Sequence, residues 1–193
     1  MVGMARVSQA QAQENRQRVV ETASRLFRER GVQGVSVADL MAEAGLTHGG
    51  FYKQFASKEA LVAETVGTAY EGLAGRLTDY DTEHPGDHGQ AVGDLLDYYL
   101  SPGHRDDPGH GCPTTGFGPD VAREAPGSPA REPFAAGVQG FADWLGGTDD
   151  ENLVELSTMV GALLLARATS GTGLSDRILT AARAALAPHG GGD

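Results

Sequence analysis

The chain has a single cysteine, Cys112, among 193 residues. That excludes an internal disulfide framework and suits a reducing compartment. No apolar run approaches the ~20 residues that a membrane helix needs; the longest, residues 159 to 166, falls far short. The first 17 residues are polar and rich in Gln and Ala without an apolar h-region, so a signal peptide is not expected and a cytoplasmic location is. Strand-like alternation and internal repeats are missing. So are a nucleophile elbow, a phosphate loop and a metal-ligand spacing, which argues against an enzyme and predicts neither a cofactor nor a metal. His104, His110 and Cys112, taken with Asp106 or Asp107, match no standard zinc site.

Positive charge is also scarce: 15 Lys and Arg stand against 26 Asp and Glu, a formal net charge of -11. Taken over the whole chain this argues against a nucleic-acid partner, but the charge is unevenly spread. Residues 1 to 60 carry eight Lys and Arg against six Asp and Glu, and the remainder carries seven against twenty. A mildly basic head on an acidic body would orient the molecule on a polyanion and limit non-specific binding.

Within that head, Ser36 can cap a helix in which Val37, Leu40, Met41 and Ala44 fall at i, i+3, i+4 and i+7. Gly45 ends it, because glycine adopts the positive φ of a residue just past a helix end without a Cβ clash. Thr47 then caps a second short helix whose Phe51 and Phe55 share one face. His48, Tyr52, Lys53 and Gln54 lie nearer the outer side. Two short helices about a glycine turn read as a helix-turn-helix, which points to DNA. His48, Lys53 and Gln54 offer donors for base edges or phosphate, and Thr47 could meet a thymine methyl or a phosphate. Gly49 and Gly50 would each cost ~1 kcal/mol in an ordinary helix, so close backbone approach to another body is the expectation. Ser57 and Lys58 open the following helix, where free N–H groups and the helix dipole favour an anion.

The string from Leu46 to Leu61, with its aromatic pair followed by Ser57-Lys58-Glu59, resembles the DNA-binding domain of the TetR family of one-component transcriptional regulators. The resemblance covers roughly residues 15 to 65 and takes in the preceding stripe of Val19, Val20, Ala23, Leu26 and Phe27, closed by Gly31. It implies backbone phosphate contacts near Ser36, Tyr52, Ser57 and Lys58. It also implies a homodimer on a palindromic double-stranded operator, an inducer pocket in the body, and repression as the commoner outcome.

The expected fold is all-α, a three-helix helix-turn-helix domain followed by a larger helical ligand-binding and dimerisation domain. Residues 1–13 are expected as a flexible arm, 14–60 as the DNA-binding domain, 61–188 as the regulatory and dimerisation domain and 189–193 as a frayed tail. In the body, residues 101 to 118 are rich in Gly, Pro, Asp and His and predict at most a short helix. A further turn opens at Pro119 or Asp120, a helix spans 131 to 145, and two more are capped by Asp149 or Asp150 and by Ser175.

Candidate pocket walls are Tyr98, Tyr99, Phe117, Phe134, Val138, Phe141, Trp144 and Met159, although an aromatic stripe at helical spacing also suits a plain core. The surplus of carboxylates favours a neutral or cationic hydrophobic small-molecule inducer. Leu156, Val160, Leu163, Leu164, Ile178, Leu179, Ala182 and Leu186 are the candidate dimer interface, with core completion as the alternative. Cys112, in an expected flexible loop two residues from His110, is a candidate redox or electrophile sensor. A helical protein-interaction module without DNA binding is the remaining alternative.

Overall fold

The structure is a computed structural model, described here over residues 9–186, and it is all-helical among those residues. Residues 1–8 of the expected arm and the whole of the expected tail, 189–193, lie outside the described residues. The first helix, α1 (Gln9–Arg30), begins earlier than the expected Glu14, so residues 9–13 are helical. It is followed by α2 (Val37–Glu43), a 3-10 helix η1 (His48–Lys53) and the long α3 (Lys58–Glu83). The body comprises α4 (His88–Tyr99), α5 (Pro102–Asp106), α6 (Pro113–Arg123), α7 (Arg131–Leu145), α8 (Asp149–Ala168) and α9 (Gly173–Ala185).

Helix α3 joins the two parts. Its first turns bury Leu61, Val62 and Val66 beneath the head, and its later turns bury Tyr70, Leu73 and Leu77 in the body. One apolar core runs through both, from Phe27 and Phe51 to Phe117, Phe141, Met159 and Leu163. Where α3 crosses α7, the Tyr70 ring lies flat against Gly137, and its hydroxyl hydrogen-bonds Thr114 of α6 at 3.0 Å.

Four expectations for the body are corrected. Residues 101 to 118 are well structured, holding α5 and the start of α6. Helix α6 runs unbroken from Pro113 through Pro119, so the helix opens six residues before the expected Pro119 or Asp120. Proline at 119 lacks the N–H that would bond back one turn, which removes a single rung but leaves the helix intact on either side. Helix α8 is capped by Thr148, whose amide donates to Glu151 at 3.0 Å, not by the aspartates that follow. Helix α9 is preceded by Thr172, while Ser175 is buried one turn in and donates from its hydroxyl to the Ala166 carbonyl at 2.7 Å. A serine hydroxyl used to lock α9 onto α8 leaves the capping to a residue upstream.

Candidate nucleic-acid interface

The head is built by local rules. The Ser36 hydroxyl accepts from the Asp39 amide at 3.1 Å and donates to its carboxylate at 2.6 Å, fixing the start of α2. At the other end Gly45 has φ +70, and the Leu46 amide reaches back to the Met41 carbonyl at 2.8 Å, the double-bonded glycine stop of a helix. The chain leaves this stop directly into Thr47 and η1. The second element is thus a tight 3-10 helix rather than an α-helix, held from below by Phe51 and Phe55 with ring centroids 5.4 Å apart. The Arg16 guanidinium covers Phe55 at 4.4 Å and pairs with Glu64 at 2.6 Å, tying α1 to α3 across this floor.

Above the floor, Thr47, His48, Gly49, Tyr52 and Lys53 are exposed, and Tyr52 is 65 % exposed with the edge of the His48 ring toward it. Gly50 and Gln54 are half-buried, and the Gln54 side-chain oxygen lacks a partner. A Cβ on Gly49 would meet nothing, and one on Gly50 only ordinary contacts with Met41 and Thr47. Intrachain packing therefore does not require either glycine.

Helix α3 starts from Ser57, whose hydroxyl accepts from the Ala60 amide at 3.1 Å. Lys58 does not extend outward as expected. Its ammonium donates to the Val32 carbonyl at 2.6 Å and lies 5.9 Å from the centre of the Phe27 ring, and burial lowers its pKa. Its position at a helix start suggests a free charge; its long stem instead folds back under the head.

The head is tied to the body through α6 and the loop before it. Asp120 of α6 accepts from the Val32 amide at 2.9 Å, beside Gly31, which closes α1 at φ +74. Arg28 of α1 donates to the Gly111 carbonyl at 2.7 Å and to Ser24. Burial, aided by repulsion from Arg76, pushes the Arg28 guanidinium down to about 10. No local pattern announces these residues, because their partners lie more than 80 positions away in the chain.

Behind this joint lies an aromatic cavity of about 280 Å³ between α3, α4 and the loop from α5 to α6, lined by Leu77, Leu95, Tyr98, Tyr99, His104 and Cys112 among others. Of the expected pocket walls it gathers Tyr98 and Tyr99. Phe117 and Met159 are sealed in the core, Phe134 packs edge-on to Tyr70, Val138 is half-buried, and Phe141 opens on a separate groove between α3 and α7. Trp144 is spent on structure, its indole N–H donating to Asp81 at 2.7 Å. His104, weighed from the sequence only as a zinc ligand, is buried and doubly held: its Nδ1 donates to the Tyr99 carbonyl at 2.8 Å and its Nε2 accepts from the Cys112 amide at 3.0 Å. That pairing requires the neutral imidazole, and burial pushes its pKa down to about 4.

Cys112 is buried at the start of α6 rather than in a flexible loop. His110, the imidazole expected to assist it, is exposed and turned to Asp107 at 3.0 Å.

Four of the expected dimer residues, Leu156, Leu163, Leu179 and Ala182, are buried between α8 and α9 within the single chain, and Val160, Ile178 and Leu186 are half-buried against the same core. Only Leu164 is exposed. The outward apolar face is made by Leu153, Val154, Leu164 and Leu165 of α8 with Leu174 of α9. A helix with apolar residues on two faces does not reveal by spacing alone which face the chain itself covers.

A helix-turn-helix head continuous with an all-helical body, joined by one long helix, defines the class of protein. Residues 19–65 match the bacterial regulatory proteins of the tetR family. The amino-terminal domain of this chain thus belongs to that family. The transcriptional regulator AcrR of Shigella flexneri is 31% identical over 97 residues, covering 50% of this chain and 45% of its own length. The transcriptional repressor KstR2 of Mycobacterium tuberculosis is 36% identical over 69 residues, covering 36% of this chain and 34% of its own length. The chain therefore aligns with less than half of these curated relatives. Likeness of fold extends further. The structure of a TetR transcriptional regulator from Chloroflexus aurantiacus superposes with TM-score 0.69 at 25% identity, covering 91% of this chain and 95% of that one. That of reduced NemR from E. coli gives 0.75 at 22% identity, covering 89% and 94%. No described helix is long and apolar enough to cross a membrane.

Proposed function

We propose that the protein is a cytoplasmic, ligand-responsive transcriptional regulator, a repressor that binds a palindromic operator as a homodimer and is released by a small hydrophobic inducer. The observation that carries this reading is the outer face of η1. Thr47, His48, Gly49, Tyr52 and Lys53 stand exposed on a short helix whose opposite face is pinned by Phe51 and Phe55. A rigid element with donors outward and no side chain at two positions fits a duplex groove, where backbone approach must be close.

In this reading His48, Lys53 and Gln54 meet base edges, and Thr47 and Tyr52 reach the sugar-phosphate chain. Gly49 and Gly50 admit the groove wall, while the helix starts at Ser36 and Ser57 meet phosphates. Lys58 contributes its charge to the local field from beneath, since its ammonium is already engaged with Val32. One head reads few base pairs, so two are needed for selectivity. The outward apolar face of α8 is the surface that would join them. The ties of Arg28 to Gly111 and of Asp120 to Val32 supply a mechanical route from the cavity to the head.

Selection of bound sequences from random duplex DNA tests the reading directly, and a two-fold consensus is the expected result. On the selected duplex, Tyr52→Ala is expected to weaken binding at least tenfold in a gel-shift titration with the helical content unchanged. Affinity should fall steeply with log salt as phosphate counterions are released. A salt-independent affinity for a protein partner, with no duplex selected, would establish an interaction module instead.

A further inference from the structure

We infer that the aromatic cavity between α3, α4 and the loop joining α5 to α6 binds a small aromatic carboxylate, held by Arg76 at its mouth. The inference rests on the reading of the body as ligand-responsive and names the class of ligand. The body's surplus of acid favours a neutral or cationic ligand when the sequence alone is weighed, but no carboxylate lines this cavity. The acids act elsewhere: Asp107 holds His110 at the rim at 3.0 Å, and Asp94, near Tyr80, is taken by His84 at 2.8 Å. His104 cannot supply a charge there, because both ring nitrogens are already bonded.

What remains is Arg76. Among the described residues it lines the cavity with no ion pair and no hydrogen bond, and the titratable groups it acts on include Arg28 and His104, both of which it disfavours in their cationic forms. This guanidinium is exposed to water, without a protein partner and beside two groups it repels or destabilises, so it is free to pair with an incoming anion. Its fork suits a carboxylate. The rest of the wall selects the other end of the ligand. Leu73, Leu77 and Leu95 are apolar, and Tyr98, stacked on His104 with centroids 4.9 Å apart, gives the wall a flat aromatic surface for a ring. At about 280 Å³ the cavity holds on the order of ten atoms at the ~30 Å³ of liquid water apiece, which fits one ring and its acid group.

Calorimetric titration of the full chain with benzoate, benzamide and benzylamine tests the inference. Benzoate is expected to bind at least tenfold more tightly than benzamide, and benzylammonium not measurably. In Arg76→Gln, benzoate should fall to the affinity of benzamide, with benzamide unchanged. Arg76 also borders a polar groove between α1 and α3, whereas Tyr98 lines the aromatic cavity and not that groove. In Tyr98→Ala, both benzoate and benzamide should therefore weaken. Binding of none of the three, equal binding of all, a preference for benzylammonium, or benzoate affinity unmoved by Arg76→Gln overturns it. Selection of duplex DNA by the same preparation separates the two readings: a selected operator with no carboxylate binding sinks the ligand class alone.

Discussion

The Asp120 carboxylate accepts from the amide of Val32 at 2.9 Å, while the Lys58 ammonium takes the carbonyl of that same residue at 2.6 Å. Val32 is buried just past the end of α1, where helix-terminal groups have no intrahelical partner, so helices α3 and α6 together complete it. Removing the acceptor leaves a buried N–H unpaired, which costs ~1–3 kcal/mol. Asp120→Ala is therefore expected to lose that much stability in urea denaturation. Asp120→Asn keeps an oxygen in place and should lose less than half as much. Equal losses would mean that the hydrogen bond contributes nothing.

Gly137 tests the packing of α3 on α7. A Cβ there would fall on the Tyr70 ring, which is itself anchored to Thr114. Neither helix can yield without disturbing α6, so Gly137→Ala should destabilise by ~1–3 kcal/mol, as overpacked cores do. By contrast Gly140→Ala, where a Cβ meets nothing, should be neutral or slightly stabilising because alanine favours the helix. Thermal denaturation of the two variants side by side reads the difference.

The head is legible in the sequence because its signals are local. Ser36 with Asp39, Gly45, and the pair Phe51 and Phe55 act within one or two turns, and each does in the structure what its spacing predicts. Residue Ser57 caps α3 as expected, yet Lys58 beside it turns inward, because its partner Val32 lies 26 positions away. The body is legible only as helices. Ser175 looks like a cap by composition and is a buried cross-link to Ala166, and the leucines of α8 divide between core and surface by packing that periodicity does not encode. His104 carries no local mark at all: its ring is fixed by Tyr99 and Cys112 only once α4, α5 and α6 have met.

The outward face of α8 yields a prediction about assembly. Val154 and Leu165 are 65 % and 55 % exposed, whereas Leu156 and Leu163 are buried. Val154→Glu with Leu165→Glu should convert a dimer to a monomer in sedimentation equilibrium while leaving helical content and thermal midpoint nearly unchanged. A monomeric wild-type protein, or a dimer that survives both charges, removes this face from the proposed interface.

Cys112 has 3 % of its surface exposed and sits at the inner wall of the cavity. A bulky disulfide reagent reaches such a thiol only after local opening. Its labelling in the folded protein should be at least a hundredfold slower than in urea. Labelling at the rate of the unfolded chain would restore the exposed, flexible setting that a reactive sensor needs.

His104 gives the protein a direction of pH sensitivity. Its folded-state pKa is driven down to about 4 by burial, from an ordinary value of 6.5. Between those values the unfolded chain takes up a proton at this residue and the folded chain does not. The unfolded state thus binds more protons, stability rises with pH across that window, and acidification from pH 7 erodes it until the folded imidazole titrates as well. One proton bound by only one of the two states changes stability by ~1.4 kcal/mol for every pH unit crossed, so the loss amounts to as much as ~3 kcal/mol by pH 4. Protonation would also place an N–H on Nε2 against the Cys112 amide, breaking the bond that holds the start of α6. His104→Leu lacks the titration, so its stability should fall less steeply than wild type between pH 6.5 and 4 in parallel urea titrations. Carboxylates and the other histidines titrate in both proteins and cancel in the comparison. Parallel slopes would show that His104 is protonated in the folded state with no greater difficulty than in the unfolded one, which its two hydrogen bonds do not permit.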